Sequence, residues 1–106
     1  MRRIDLSQTG VGASAVSPMN LNTSPFNIGF AVVVTGTVNY TVQHTFDDVN
    51  LPTFDPSTAT WFSHPTIVGL AVNADGNYAF PVTAIRLLVN SGGGTARLTL
   101  LQAGIQ

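Results

Sequence analysis

Residues 28–46, "IGFAVVVTGTVNYTVQHTF", form an almost unbroken series of β-branched and aromatic side chains, and this run constrains the fold more than any other feature. Such side chains are stiff at χ1 and fill a pleated surface better than a helix. From Val38 onward the pattern alternates, with Val38, Tyr40, Val42, His44 and Phe46 on one face and Asn39, Thr41, Gln43 and Thr45 on the other. That is the period of a strand with one side buried. The first half is apolar on both faces, which predicts a covered region. Gly36, between two threonines, fits a turn between two strands or, as its flanks favour, a bulge in one long bent strand.

No segment carries apolar residues at helical spacing over the length of a helix. "ATWFSH" and "TIVGLAV" read as short strands parted near Pro65, and "NADGNYAFP" reads as a turn with Asp75 and Gly76 at its tip. "VTAIRLLVN" and "TARLTLLQ" read as the two strands of a hairpin joined by a flexible "SGGG" loop. About seven or eight strands without a helix predict an all-β, antiparallel β-sandwich, with a jelly roll as the expected form. A chain of 106 residues makes one such domain, placed at residues 26–106. Residues 1–25 are rich in Ser, Gly and Asn and are expected to form an extended N-terminal arm. The arm would supply edge strands around "RRIDLS" and "ASAVS" or be held by a neighbouring subunit. A chain beginning near Thr23 is expected to keep the sandwich.

Charge narrows the function. Charged residues make up 8% of the chain, against about 25% in an ordinary soluble domain. Every cation is Arg and every anion Asp, with no Lys or Glu. Lys and Glu are also the residues depleted from interface cores, so the composition points to a surface occupied by partners. A net charge of −1 carries no basic footprint for nucleic acid. The longest apolar run, residues 28–34, is far short of the ~20 residues of a membrane span. No apolar stretch follows Arg2 and Arg3 to make a signal peptide. The absence of Cys excludes thiolate metal sites and a Cys nucleophile.

His44, His64, Asp47, Asp48 and Asp55 are the ingredients for acid–base or metal chemistry, with Asp75 a further oxygen donor. Two histidines about twenty positions apart do not have zinc-ligand spacing, and the aspartates follow no calcium-loop pattern. There is no nucleophile elbow or phosphate loop either. No enzyme, metal or cofactor is therefore expected. His44 is read as a core-edge residue and His64 as a strand end, each costing at most about 1–2 kcal/mol on truncation. The interface candidates are Arg2 and Arg3 in the arm, the Trp61–Phe62 pair, Arg86 and Arg97. Trp61 and Phe62 must face opposite sides of a strand, so one packs inward and the other is free to anchor a partner. Ile85, Leu87 and Val89 face in and send Arg86 out; Ala96, Leu98 and Leu100 do the same for Arg97. Each arginine is suited to a bidentate bridge to an aspartate within the fold or on a neighbour.

Three blocks carry a family resemblance: "PFNIGFAVVVTGTVNYTVQHTFDD", "WFSHP" and "GNYAFPVTAIRLLVNSGGGTARLTLLQ". In this order they resemble a group of small virion proteins of tailed bacteriophages. The resemblance spans roughly residues 26–102 and implies a β-sandwich component of the particle, of the head decoration or cement type. It implies the major capsid protein as partner, self-association as a trimer on the particle, and a place on the capsid surface of the virion. It transfers no catalytic residue. The order of strand, acidic turn, Trp and closing Arg-bearing strands is also similar to galactose-binding-like jelly rolls. A tail- or fibre-associated virion protein and a carbohydrate-binding module therefore stand as alternatives.

Overall fold

The computed structural model describes residues 2–18, 28–47, 52–55, 57–78 and 82–102. The boundary set at residues 25 and 26, and Asp48, lie outside them. Nine strands follow in order: β1 (Arg2–Thr9), β2 (Gly12–Ala13), β3 (Ser17–Pro18), β4 (Ile28–Thr35), β5 (Asn39–Thr45), β6 (Trp61–Ser63), β7 (Ala74–Tyr78), β8 (Ala84–Ser91) and β9 (Thr95–Gln102). Among the described residues there is no helix, and the strands make two antiparallel sheets packed together. One sheet runs β1-β9-β4-β7; the other runs β2-β8-β5-β6, with β3 also on β8.

The period of two builds the core. From the first sheet, Ile28, Phe30 and Val32 of β4 and Ala96, Leu98 and Leu100 of β9 point inward. From the second come Tyr40 and Val42 of β5 and Ile85, Leu87 and Val89 of β8, all buried. Ile4 and Leu6 of β1 pack against this cluster from its margin. The inward assignments made for β5, β8 and β9 hold, and Arg86 and Arg97 point away as expected. The covered region expected around β4 does not hold on its outer side, where Gly29, Ala31 and Val33 are exposed.

Several connections differ from the sequence reading for one reason: a local turn signal does not say which sheet the next strand joins. Gly36 is not a bulge in a long strand but a turn, with φ of 80°, that carries the chain from β4 in one sheet to β5 in the other. β8 and β9 are not a hairpin; β8 pairs with β5, and β9 lies between β1 and β4. Nor is "SGGG" loose. The Gly94 N–H donates to the Thr37 carbonyl at 2.8 Å, and the Gly10 N–H donates to the Gly94 carbonyl at 3.1 Å. Three sheet-to-sheet crossings are thereby stacked on one another, and a Cβ at Gly92 would lie 2.3 Å from the Thr37 carbonyl oxygen.

"NADGNY" is a strand rather than a turn tip, because Ala74–Tyr78 pairs in full with β4, Ile28 opposite Tyr78 and Val32 opposite Ala74. "TIVGLAV" contributes one bridge, Leu70 to Tyr40, and otherwise runs irregularly beside β5. Residues 2–18 lie in the sheets as edge strands: β1 is laddered to β9 from Arg2–Gln102 to Thr9–Thr95, and β2 and β3 lie on β8. Edge strands were one of the two roles read for this segment; a free arm is not what these residues form.

Candidate functional site

The alternation of β5 carries His44 to the inner face at the open end of the second sheet, where it is buried. Its Nδ1 lies 2.9 Å from the Tyr78 hydroxyl, which β7 presents from the first sheet. The two side chains that close this end of the core are thus polar and satisfy each other. Burial, and then the proximity of His64, lower the pKa of His44 below its ordinary value. Burial pushes the Tyr78 phenol far above its own. Both groups are consequently neutral at pH 7.

His64 also meets the Tyr78 ring, edge-on at 4.9 Å between centroids, and is edge-on to Phe30 at 5.1 Å. Its Nδ1 accepts from the backbone N–H groups of Thr66 and Ile67, each at 3.2 Å, and its Nε2 lies 3.0 Å from the Asn77 carbonyl. Three donors or acceptors fix the tautomer: Nδ1 is bare and Nε2 carries the hydrogen. The consequence is structural. The His64 N–H donates to the Val42 carbonyl and the Val42 N–H donates to the Ile67 carbonyl, so β5 is bordered by chain that swings outward between residues 64 and 67. The imidazole supplies the acceptor that the swung-out backbone lacks.

His44 and His64 are therefore brought together, through Tyr78, as sequence spacing did not predict. Tyr78 was missed because it lies on the strand read as a turn; its outward-inward alternation with Asn77 was the available signal. Asp47 and Asp55 are occupied locally. Asp47 Oδ2 accepts from the Thr60 N–H at 2.9 Å, and Asp55 Oδ1 accepts from both the N–H and hydroxyl of Ser57, bonds that lower the pKa of Asp55. Among the described residues no three His, Cys, Asp or Glu side chains converge as metal ligands would.

The interface candidates separate into three places. Trp61 and Phe62 do face opposite sides, but neither reaches the core. Phe62, opposite His44 on β5, is 48% exposed, with the ring of the exposed Phe46 5.8 Å away. Trp61 is half-buried on the outer face, where the Arg86 guanidinium lies 4.1 Å from its ring centroid. Arg86 Nε also donates to Gln43 Oε1 at 2.8 Å, so its partners are an indole and an amide rather than an aspartate. Burial lowers the Arg86 pKa.

Arg97 is exposed on the outer face of the other sheet, opposite Ser7 and Val33. On that face Arg3 pairs with Asp5 at 3.5 Å, and Asp5 also accepts from the Thr99 hydroxyl at 2.7 Å, which leads the lowering of its pKa. Arg2 enters β1 through its backbone pairing with Gln102. Between β9 and β7 the small residues Gly29 and Ala31 leave a shallow depression of about 310 Å³, bordered by Leu101, Thr99 and Asp75. On this side Val33 and Leu101 are nearly half exposed.

No protein-family model matches the chain, and no curated protein or solved structure is significantly similar to it.

Proposed function

We propose that this chain is a bacteriophage virion structural protein, a decoration or cement protein of the head. It acts without catalysis, on the capsid surface, by bridging neighbouring major capsid subunits. The observation that carries the reading is strand order. A layer ordered β1-β9-β4-β7 against a layer ordered β2-β8-β5-β6 supports a jelly roll, the form shared by viral capsid and lectin domains. The resemblance of residues 26–102 to small phage virion proteins supports the same reading, as do the 8% charge and the open face of the first sheet. On the particle the copies associate as trimers around local three-folds. Each contact is modest alone and gains strength from the effective concentration set by the lattice.

Electron microscopy of virions labelled with an antibody against this chain tests the proposal. Label over the whole head is expected; label confined to the tail or fibres moves the chain to a tail-associated role, and unlabelled particles overturn the virion reading. One observation favours a second reading, the exposed Phe62 ring beside Phe46 at the rim, which offers the kind of platform a sugar stacks on. Under the cement reading, glycan arrays show nothing tighter than millimolar. A micromolar ligand lost in Phe62→Ala, with the fold intact, would establish a carbohydrate-binding module instead.

A further inference from the structure

Three of the four sheet edges are blunted against pairing with another chain. β7 has five residues with Gly76 at its centre, β6 has three, and β2 and β3 have two each, with Pro18 in β3. β1 is different. It runs for eight residues without Gly, Pro or Lys, and its register against β9 is unbroken.

The direction of its backbone groups follows from one hydrogen bond. The Gly10 N–H donates to the Gly94 carbonyl, which continues the register of β1 on β9 and marks residue 10 as a directly bonded position. Bonded and non-bonded pairs alternate in an antiparallel ladder. Gln8, Leu6 and Ile4 therefore turn their backbone groups toward β9, while Ser7, Asp5 and Arg3 turn theirs outward. The same alternation, carried across β9 and β4, sends the Val34 N–H to the far side, where it donates to Asn73 Oδ1. At one end of β1 the Gln8 side chain donates to the Thr9 and Gly10 carbonyls, closing the edge there. Among the described residues, nothing pairs with the outward backbone of Arg3, Asp5 and Ser7.

We propose that this edge binds a second copy of the same chain, β1 against β1 in antiparallel pairing, with Ile4 on the two-fold axis. The side chains select both the partner and the register. With Ile4 opposite Ile4, Arg3 of each copy stands directly across from Asp5 of the other, on the same outer face. Oppositely charged cross-strand neighbours stabilise such a pair, and like charges destabilise it. A shift that centres Asp5 instead sets the two aspartates against each other. Ile4, half-buried in the single chain, meets its own copy on the inner side. The two four-stranded sheets become one continuous sheet across the axis, and the partly exposed margin of the core is covered at the same time. This pairing does not depend on the virion role, and free in solution it gives a dimer.

Sedimentation equilibrium of the full chain, from micromolar to millimolar concentration, tests the proposal. The expected species is twice the 11.1 kDa chain. Arg3→Asp and Asp5→Arg should each weaken dimerisation at least about tenfold, the effect of ~1.4 kcal/mol. An equimolar mixture of the two variants should restore it, because each Asp then meets an Arg again. Hydrogen exchange on the unmodified chain gives a readout that needs no variant. The Arg3 and Asp5 amides should gain protection as concentration rises, while the Leu6 amide is protected throughout. A monomer at every concentration, a trimer, a dimer indifferent to both charge reversals, a mixture that does not re-form it, or Arg3 and Asp5 amides indifferent to concentration would each overturn the proposal.

Discussion

Replacing His64 by Ala should cost about 3 kcal/mol, more than its position before Pro65 suggests. The Ile67 N–H is buried and loses its acceptor, a penalty of ~1–3 kcal/mol for a stranded donor. The edge-on contacts with Phe30 and Tyr78 disappear as well, each worth ~0.5–1.5 kcal/mol. Water relieves part of the total at Thr66, which is exposed. For a domain of this size the loss corresponds to a melting temperature lower by about 12 °C. His64→Asn separates the two contributions, because its amide oxygen stands near the place of Nδ1 and can take over the Ile67 N–H. Its loss should be about half that of the alanine variant. Urea unfolding, with equal slopes for all three proteins, is the assay. A cost below ~1 kcal/mol for Ala, or an Asn variant no better than Ala, would refute the view that the imidazole staples the outward swing between residues 64 and 67.

The pKa of His44 is lower in the folded chain than its usual 6.5, so its contribution to stability is complete above that pH. The contribution is lost as pH falls from 6.5 toward the folded value, by up to ~1.4 kcal/mol per pH unit. Urea midpoints measured across this window should flatten in His44→Gln. Gly94→Ala places a Cβ 2.5 Å from the Thr35 carbonyl oxygen, whereas Gly93→Ala meets nothing within 4 Å; melting curves should show a loss of roughly 3 kcal/mol for the first and under ~0.5 for the second. A double-mutant cycle between Trp61→Leu and Arg86→Met should return a coupling of about 0.5–1 kcal/mol; zero coupling would make the 4.1 Å stacking incidental. A chain beginning near Thr23 lacks β1, β2 and β3, so circular dichroism should find it largely unfolded, whereas the sequence alone argued for an independent remainder.

What was legible in the sequence was the facing of residues within a strand, because alternation is a local property. Tyr40, Val42, Ile85, Leu87, Leu98 and Leu100 are buried where the pattern put them. What was not legible was which strands meet. β4 and β5 are separated by one glycine turn yet lie in different sheets, and β9 finds its partners at residues 2–9 and 28–35. β7 was unreadable for another reason. Asp75, Gly76 and Asn77 have poor strand propensity, and the ladder to β4 overrides it. A Cβ at Gly76 would stand 3.0 Å from the tip of the Phe30 ring, which would have to give by a few tenths of an ångström. The polar end of the core followed the same division: His44 was placed correctly by its own strand, and its partner Tyr78 was invisible without the pairing that aligns β7.

The partnership of β1 with β9 also sets a timetable. Thr9 meets Thr95 across 86 positions of chain, and at ~5–20 residues per second a ribosome needs roughly 4–17 s to make that stretch. Throughout that interval the first strand has been synthesised and its only ladder partner among the described strands has not. The nascent segment must stay unpaired without sticking to its neighbours on the same messenger. Its composition suits the wait: Arg2, Arg3 and Asp5 interrupt the apolar residues, so no hydrophobic run of aggregating length exists in "RRIDLSQT". Closure of the first sheet consequently comes late, when β9 emerges to meet a β1 already made.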